Sequence, residues 1–284
     1  MPKISLNASC LCAAALIVPA IYLSSDTALP LASAQSGDVK PVAANSTTVE
    51  KPEIDEKHPL FKLLEVAYKA RKQAEGIDDY ECVFAKQEML GKKLVKTTMN
   101  MKFREKPFSV YLKFQDLNKG REVLFVQGKN NNNLLVREAG IKSVIGTLEL
   151  APTSTDVMAE NKYPITQIGM KNLLNTIIKQ WETEADFAAV TTQKRAGSKL
   201  PTGETCTVFE AVHEKPFKEF KFHTTRLWVE DETGLAIGVQ QLAFPGKNDK
   251  EPPLVEEYFY GKLKANAKLT DTDFDRSNSS YAFK

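Results

Sequence analysis

The sequence predicts an α+β chain that is mainly antiparallel β. A large, curled, open sheet of about ten strands would carry an N-terminal helix and a central helical insert across one face. Three observations lead there. Val95, Thr97, Met99, Met101 and Phe103 alternate with Lys96, Thr98, Asn100 and Lys102, the period of a half-buried antiparallel strand. Short strand-like runs follow one another through turns, with no helical pattern between them to make parallel crossovers. Two stretches do hold helical spacing, one after His58-Pro59 and one at Ile168–Trp181.

Residues 1–34 read as a secretory signal. Lys3 supplies the positive start, and Leu11 to Leu23 is an apolar run. As a helix that run reaches roughly 20 Å, short of the ~30 Å bilayer core. Ala32-Ser33-Ala34 offers a cleavage site before Gln35. The alternative is an uncleaved N-terminal anchor. A lipoprotein signal does not fit, because Cys10 precedes the apolar run and Cys12 opens it. Residues 35–57 have no aromatic residue and no periodicity, so they read as a disordered spacer. The remainder, 58–284, reads as one domain with a helical insert at 140–182.

Within that domain, Leu60, Leu63, Leu64, Ala67 and Ala70 form the stripe of a first helix that Gly76 stops. Strands are predicted at 79–90, 94–103, 108–114, 122–127 and 134–137, with the tip GKNNNN at 128–133 as a turn. Gly140, Gly146, Pro152, Pro164 and Gly169 then break the pattern. A short helix fits 153–160, and a longer one Ile168–Trp181. Strands resume near 187–194, 204–213, 220–230, 236–244 and 254–263. The Asp-rich end, with Asp271, Asp273 and Asp275, reads as a solvated tail.

Composition narrows function by exclusion. Lys and Arg number 38 against 36 Asp and Glu, a net charge of +2, without the basic excess of a nucleic-acid binder. The aromatics pattern as core, so no nucleic-acid partner is expected. Residues 86–142 are locally basic, which admits peripheral contact with anionic lipid; a solvated sheet face is the plainer reading of strand lysines. There is no G-x-S-x-G, no H-E-x-x-H and no phosphate-cradling glycine loop. Glu256 and Glu257 are neighbours on one strand, so they point to opposite faces; Glu257 would share its face with Val255 and Phe259. His213 and His223 could begin a metal site, but no third ligand is identifiable. No catalytic residue, metal or cofactor is assigned. Cys82 and Cys206 remain after the signal. They are either a disulfide, which export permits, or two buried thiols.

Several stretches resemble a known family: GREVLFVQGKN (120–130), GIKSVIGTLELAP (140–152), MAENKYPITQIGMKNL (158–173) and PPLVEEYFYGKLKAN with TDTDFD (252–275). They are similar to the domain of unknown function 1571 family of secreted bacterial proteins, over about 58–283. NKYPIT and DTDFD are the specific parts. The resemblance implies an architecture related to periplasmic lipoprotein carriers and outer-membrane lipoprotein receptors: an open half-barrel closed by helices, with an apolar cavity.

The expected function is an exported, non-enzymatic binding protein of the periplasm or cell envelope, holding a lipid, an acyl chain or a lipoprotein. Val95, Met99, Met101, Phe103, Phe114 and Phe125 are the candidate cavity walls; Met suits a variable apolar guest. Tyr163, in a stiff Gly/Pro-rich loop that is either a lid or a plug, and the cations Arg121 and Arg226 are candidates for a polar head. An envelope interaction or sensor module with a filled core, or an uncharacterised hydrolase, are the alternatives. The sequence does not fix the oligomeric state.

Overall fold

The computed structural model describes residues 51–187 and 189–283. The expected signal at 1–34 lies outside the described residues, as does the spacer up to residue 50. Pro52 is buried and Ile54 packs on the core, so packed chain is met ahead of position 58.

Helix α1 (Phe61–Glu75) follows the expected stripe: Leu63, Leu64, Ala67, Ala70 and Ala74 are buried, and Gly76 caps its end. Five strands come next: β1 (Asp79–Leu90), β2 (Lys93–Arg104), β3 (Ser109–Phe114), β4 (Glu122–Val126) and β5 (Leu134–Arg137). A sixth, β6 (Thr147–Leu150), stands between Gly146 and Pro152. It was not anticipated, because four residues are too few to show a period. The insert continues with α2 (Thr155–Ala159) and α3 (Met170–Glu184). Then come β7 (Thr191–Lys199), β8 (Thr205–Val212), β9 (Thr224–Glu230), β10 (Ala236–Leu242) and β11 (Leu254–Ala265). β7 lies further along the chain than expected. Its sequence TTQKRAGSK is almost wholly exposed, as an edge strand guarded by charge should be, so no apolar alternation marks it.

All eleven strands join one antiparallel sheet in the order β6-β5-β4-β3-β2-β1-β11-β10-β9-β8-β7. The chain walks outward from β1 to one edge, re-enters at the opposite edge and walks inward to β11. Two meanders are thus zipped along the β1–β11 seam, from Tyr80↔Ala265 to Glu88↔Glu256. This topology forces the insert to cross a face of the sheet. Ten inter-strand spacings of about 4.8 Å have to be traversed between the edges. α3, at roughly 22 Å, supplies much of that path and rests against α1 and β10.

The concave face under α1 and α3 is a closed core. Trp181, Leu174, Met101 and Phe103 are each at most 1% exposed, and burial of such side chains stabilises by about 1.5–3 kcal/mol apiece. Gly169 opens α3 at φ +120°, and a Cβ there would lie 2.9 Å from the Phe103 ring. Only glycine meets both demands.

The C-terminal segment is not a solvated tail. Phe274, Tyr281 and Phe283 are buried on the convex face against Tyr111, Leu124, Val126 and Leu135. Tyr281 stacks on Tyr111 with centroids 4.0 Å apart. The aspartates read as solvated pair with strand cations: Asp273 with Lys102 at 2.7 Å and Asp271 with Arg104 at 2.8 Å. The sheet is therefore apolar on both faces at β3–β5, which a search for one apolar face overlooks.

Cys82 and Cys206 are free and buried. They sit on β1 and β8, with β11, β10 and β9 between them. The disulfide expectation gives way to the buried-thiol alternative. The Cys82 Sγ lies 3.7 Å from the Met101 Sδ, and burial pushes both thiol pKa values up, Cys206 to about 12.

Candidate functional site: a roofed cavity with a charged wall

Beyond the closed core, the concave face opens into a cavity of about 960 Å³. That is the upper range of small-molecule sites. Its floor is the inward face of β1–β5 with β10 and β11, and its roof is the insert. Leu112, Val123 and Leu148 face Val157, Ile165 and Leu173 across it. The physical cause is length. α3 covers the sheet only partway, and the thin segment 155–168 spans the rest.

Of the residues expected to line a cavity, Val95, Met99, Phe114, Arg121 and Tyr163 do so. Met101 and Phe103 share their strand face but fill the main core. Phe125 belongs to a satellite core with Leu134 and Val136, against Val157 and Ile165. Arg226 is on the other face. Its register neighbours across the sheet are Glu210 and Gln240; it pairs with both, 2.6 Å to the Gln240 Oε1, and Gln240 in turn donates to Glu257 at 2.9 Å. Glu257 shares its face with Val255 and Phe259, as the alternation on the strand requires. The opposite face, with Glu256, Tyr258 and Tyr260, is the one that turns inward and lines the cavity.

That inward face carries the polar wall. Glu256 and Glu88 are each 3% exposed and stand opposite one another across the β1–β11 seam. Lys86 lies 2.9 Å from Glu88, and Lys162 2.5 Å from Glu256. Tyr258 donates to Glu88 at 2.7 Å; Tyr163 donates to both Glu256 oxygens, at 3.0 and 3.2 Å. Burial, reinforced by the adjacent carboxylates, pushes both phenol pKa values above the usual range, so the two hydroxyls stay donors. Lys86 also reaches the Asn161 side chain at 2.5 Å. Asn161, Lys162 and Tyr163 are the first three residues of NKYPIT, and all three bind the seam. Tyr163 thus fastens the insert to the sheet.

Arg121 repeats the device on the other flank, joining Glu138 at 2.7 Å and Glu160 at 2.5 Å. Chemically this wall is neutralised from within. Each acid has a lysine or arginine, and the facing oxygens of Glu88 and Glu256 are already taken by phenols. It anchors a roof. His213, one of two candidate metal ligands, lies 3.0 Å from Glu184 and stacks on Phe220. Among the described residues no group of three or more His, Cys, Asp or Glu is placed to hold a metal. Three exposed lysines, Lys93, Lys179 and Lys221, line the cavity alongside the exposed acid Asp156, and Lys221 lies 5.9 Å over the Tyr163 ring.

Comparison with known proteins matches residues 77–283 to the family described as protein of unknown function (DUF1571). The chain belongs to this family. The match spans every strand and both anchoring stretches, NKYPIT and DTDFD, that suggested it. No curated protein matches this DUF1571 member. Similar solved structures include the lipoprotein LppX of Mycobacterium tuberculosis, 13% identical over 75% of this chain and 98% of that one, with a TM-score of 0.42. LprF from Mycobacterium bovis is 11% identical over 75% and 97%, also at 0.42. A putative outer membrane lipoprotein-sorting protein domain from Vibrio parahaemolyticus is 11% identical over 75% and 96%, at 0.34. The functional reading of this DUF1571 protein rests on its own cavity. Among the described residues no helix is long and apolar enough to cross a membrane.

Proposed function

We propose that this DUF1571 protein is an exported, non-enzymatic binding protein that holds a lipid or another acyl-chain ligand in the cavity beneath its insert. The observation that carries the reading is the cavity itself: about 960 Å³, floored by Leu112, Phe114 and Val123 and roofed by Ile165 and Leu173. An apolar hollow of this size is costly to leave wet. An acyl chain entering it gains about 0.8 kcal/mol per methylene removed from water. Ten methylenes give roughly 8 kcal/mol before ordering costs. The exposed lysines that line it suit a ligand whose head is polar or anionic. Export rests on the reading of residues 1–34 as a secretory signal and places the protein in the cell envelope.

The test is native mass spectrometry of protein purified from an exporting host, with organic extraction of whatever accompanies it. A reproducible added mass that extracts as lipid is expected. A clean apo mass that stays unchanged after incubation with envelope lipids would sink the reading in favour of a sensor or scaffold.

A further inference from the structure

The antiparallel meander brings three loops to one end of the sheet: the β1–β2 turn, the β3–β4 turn at 115–121 and the β5–β6 connection at 138–146. The last two touch, since a Cβ on Gly120 would lie 3.1 Å from that of Ala139. Here the protein exposes apolar side chains it has no structural reason to expose. Ile141 is 92% accessible, Val144 85%, Ile145 61% and Leu117 48%. Scattered exposed leucines need no explanation; four large aliphatics on two adjoining loops do. Leu117, Asn118, Leu90 and Lys93 also line the cavity, so this patch is its rim.

The charge around the patch identifies its partner. Segments 91–96, 115–121 and 138–146 contain Lys92, Lys93, Lys96, Lys119 and Lys142 against the acids Asp116 and Glu138, and Glu138 is paired with Arg121. All five lysines are exposed. Asp116 is occupied within the loop, accepting the Thr98 and Leu117 backbone N–H groups at 2.9 and 2.6 Å. Projecting aliphatics with Lys119 and Lys142 on their own loops, and Lys92, Lys93 and Lys96 on the β1–β2 hairpin at the same end of the sheet, match a bilayer interface: the aliphatics enter the acyl boundary and the ammonium groups meet anionic headgroups.

We infer that this rim docks the protein on anionic membrane surfaces, with Ile141, Val144 and Ile145 inserted. The inference stands apart from the cavity reading, because the loops would bind a bilayer whether or not a guest is held. It differs from contact through strand lysines: the inserting residues are on loops.

The experiment is vesicle flotation of protein from an exporting host, using phosphatidylglycerol–phosphatidylcholine vesicles and pure phosphatidylcholine vesicles. Binding is expected to the anionic vesicles only, weakening as salt rises. The exposed pair I141D/V144D should lower the partition about tenfold or more, since charge replaces inserted aliphatic surface. The set K92Q/K93Q/K119Q/K142Q should remove the preference for phosphatidylglycerol. No flotation with anionic vesicles at low salt overturns the inference, as does flotation of I141D/V144D equal to wild type. A soluble dimer in sedimentation that I141D/V144D dissolves, without vesicle binding, assigns the patch to a second copy and also overturns it. Uptake of a fluorescent acyl probe by I141D/V144D separates the two readings. Retained uptake with lost flotation confirms a rim distinct from the cavity; wild-type protein that floats on anionic vesicles but takes up no probe bears against the cavity alone.

Discussion

Glu88 and Glu256 face each other in register across the β1–β11 seam, both 3% exposed. Two like charges directly opposite on adjacent strands repel, and burial adds a desolvation cost of several kcal/mol per ion. The pair persists because Lys86, Lys162, Tyr163 and Tyr258 supply cations and donors. Two of those four belong to the insert. The roof is therefore held by the repulsion it cancels: lift residues 161–163, and the carboxylates face each other with half their partners gone.

Removing the charge on one side tests this. E256Q keeps the shape, relieves the repulsion and strands Lys162, which is only 21% exposed. Breaking a buried pair costs about 3–5 kcal/mol; with Lys162 able to turn toward solvent, a loss of about 1–3 kcal/mol is expected in urea unfolding. The signature is regional. Hydrogen exchange should accelerate over 155–168 and stay unchanged in α1. Uniform acceleration across the domain would refute the anchoring role.

Gly169 yields the second prediction. Alanine there adopts an unfavourable φ and drives its Cβ into Phe103. Left-handed backbone costs roughly 1–2 kcal/mol and overpacking a further 1–3. G169A should therefore destabilise by about 2–5 kcal/mol. In G169A/F103L only the steric part is relieved, so the double mutant should be more stable than the sum of its parts by about 1 kcal/mol. Strict additivity would show that the backbone angle alone dictates glycine.

The third concerns acid. Burial acts to raise the Asp273 pKa, but the Lys102 hydrogen bond and those from the Thr270 backbone and hydroxyl outweigh it, leaving the value below the usual carboxylate range. The folded state then binds fewer protons than the unfolded one, so this stabilisation is present above the ordinary carboxylate pKa. It is lost as pH falls through the lowered value. The C-terminal segment should loosen in that window, read by the near-ultraviolet signal of the stacked Tyr111–Tyr281 pair. D273N should cost about 1 kcal/mol at neutral pH, in keeping with a capping contact and a half-screened ion pair, and flatten the acid limb. An unchanged limb would assign acid sensitivity elsewhere.

The fourth concerns the thiols. With both pKa values raised by burial, a thiolate reagent should label neither Cys82 nor Cys206 in the folded protein and both once it is unfolded. Intact mass should be the same with and without reductant. A gain of two hydrogens on reduction would restore the disulfide.

Much of this fold was legible because each strand keeps a period of two where one face is wet. β2 and α1 are read directly from Val95–Phe103 and Leu63–Ala74. Legibility fails where that contrast vanishes. β6 is four residues long and β7 is polar on both faces; β3–β5 stand where the sequence puts them, but their second apolar face, covered by the C-terminal segment, carries no period of its own. The polar wall failed for a different reason. Alternation groups Glu257 with Val255 and Phe259 but does not say which face is inward, and the strand turns Glu256, Tyr258 and Tyr260 inward. A signal was available: Lys86 and Glu88 share a parity on β1, two charges on an otherwise apolar face. Only the seam register, formed between residues 170 positions apart, brings them to Tyr258.

The last prediction separates a cavity that admits a guest from a core that is merely imperfect. In a filled core every large-to-small change costs, by about 2–5 kcal/mol for Met→Ala and 3–5 for Phe→Ala. Met101 and Phe103, each 1% exposed, should behave so. Val123, Leu148 and Leu173 line open space and are only partly buried. Truncating them removes atoms that already lack partners on one side, so L148A should cost under about 1.5 kcal/mol. The reverse change decides the matter. V123W places an indole in the hollow, which overpacking would penalise by about 1–3 kcal/mol in a full core. Here it should be neutral or stabilising, because it fills a void. It should also abolish uptake of a fluorescent acyl probe while M101A, less stable, still takes it up. Destabilisation by V123W to the degree of a core insertion, with probe uptake intact, would mean that the ligand sits elsewhere.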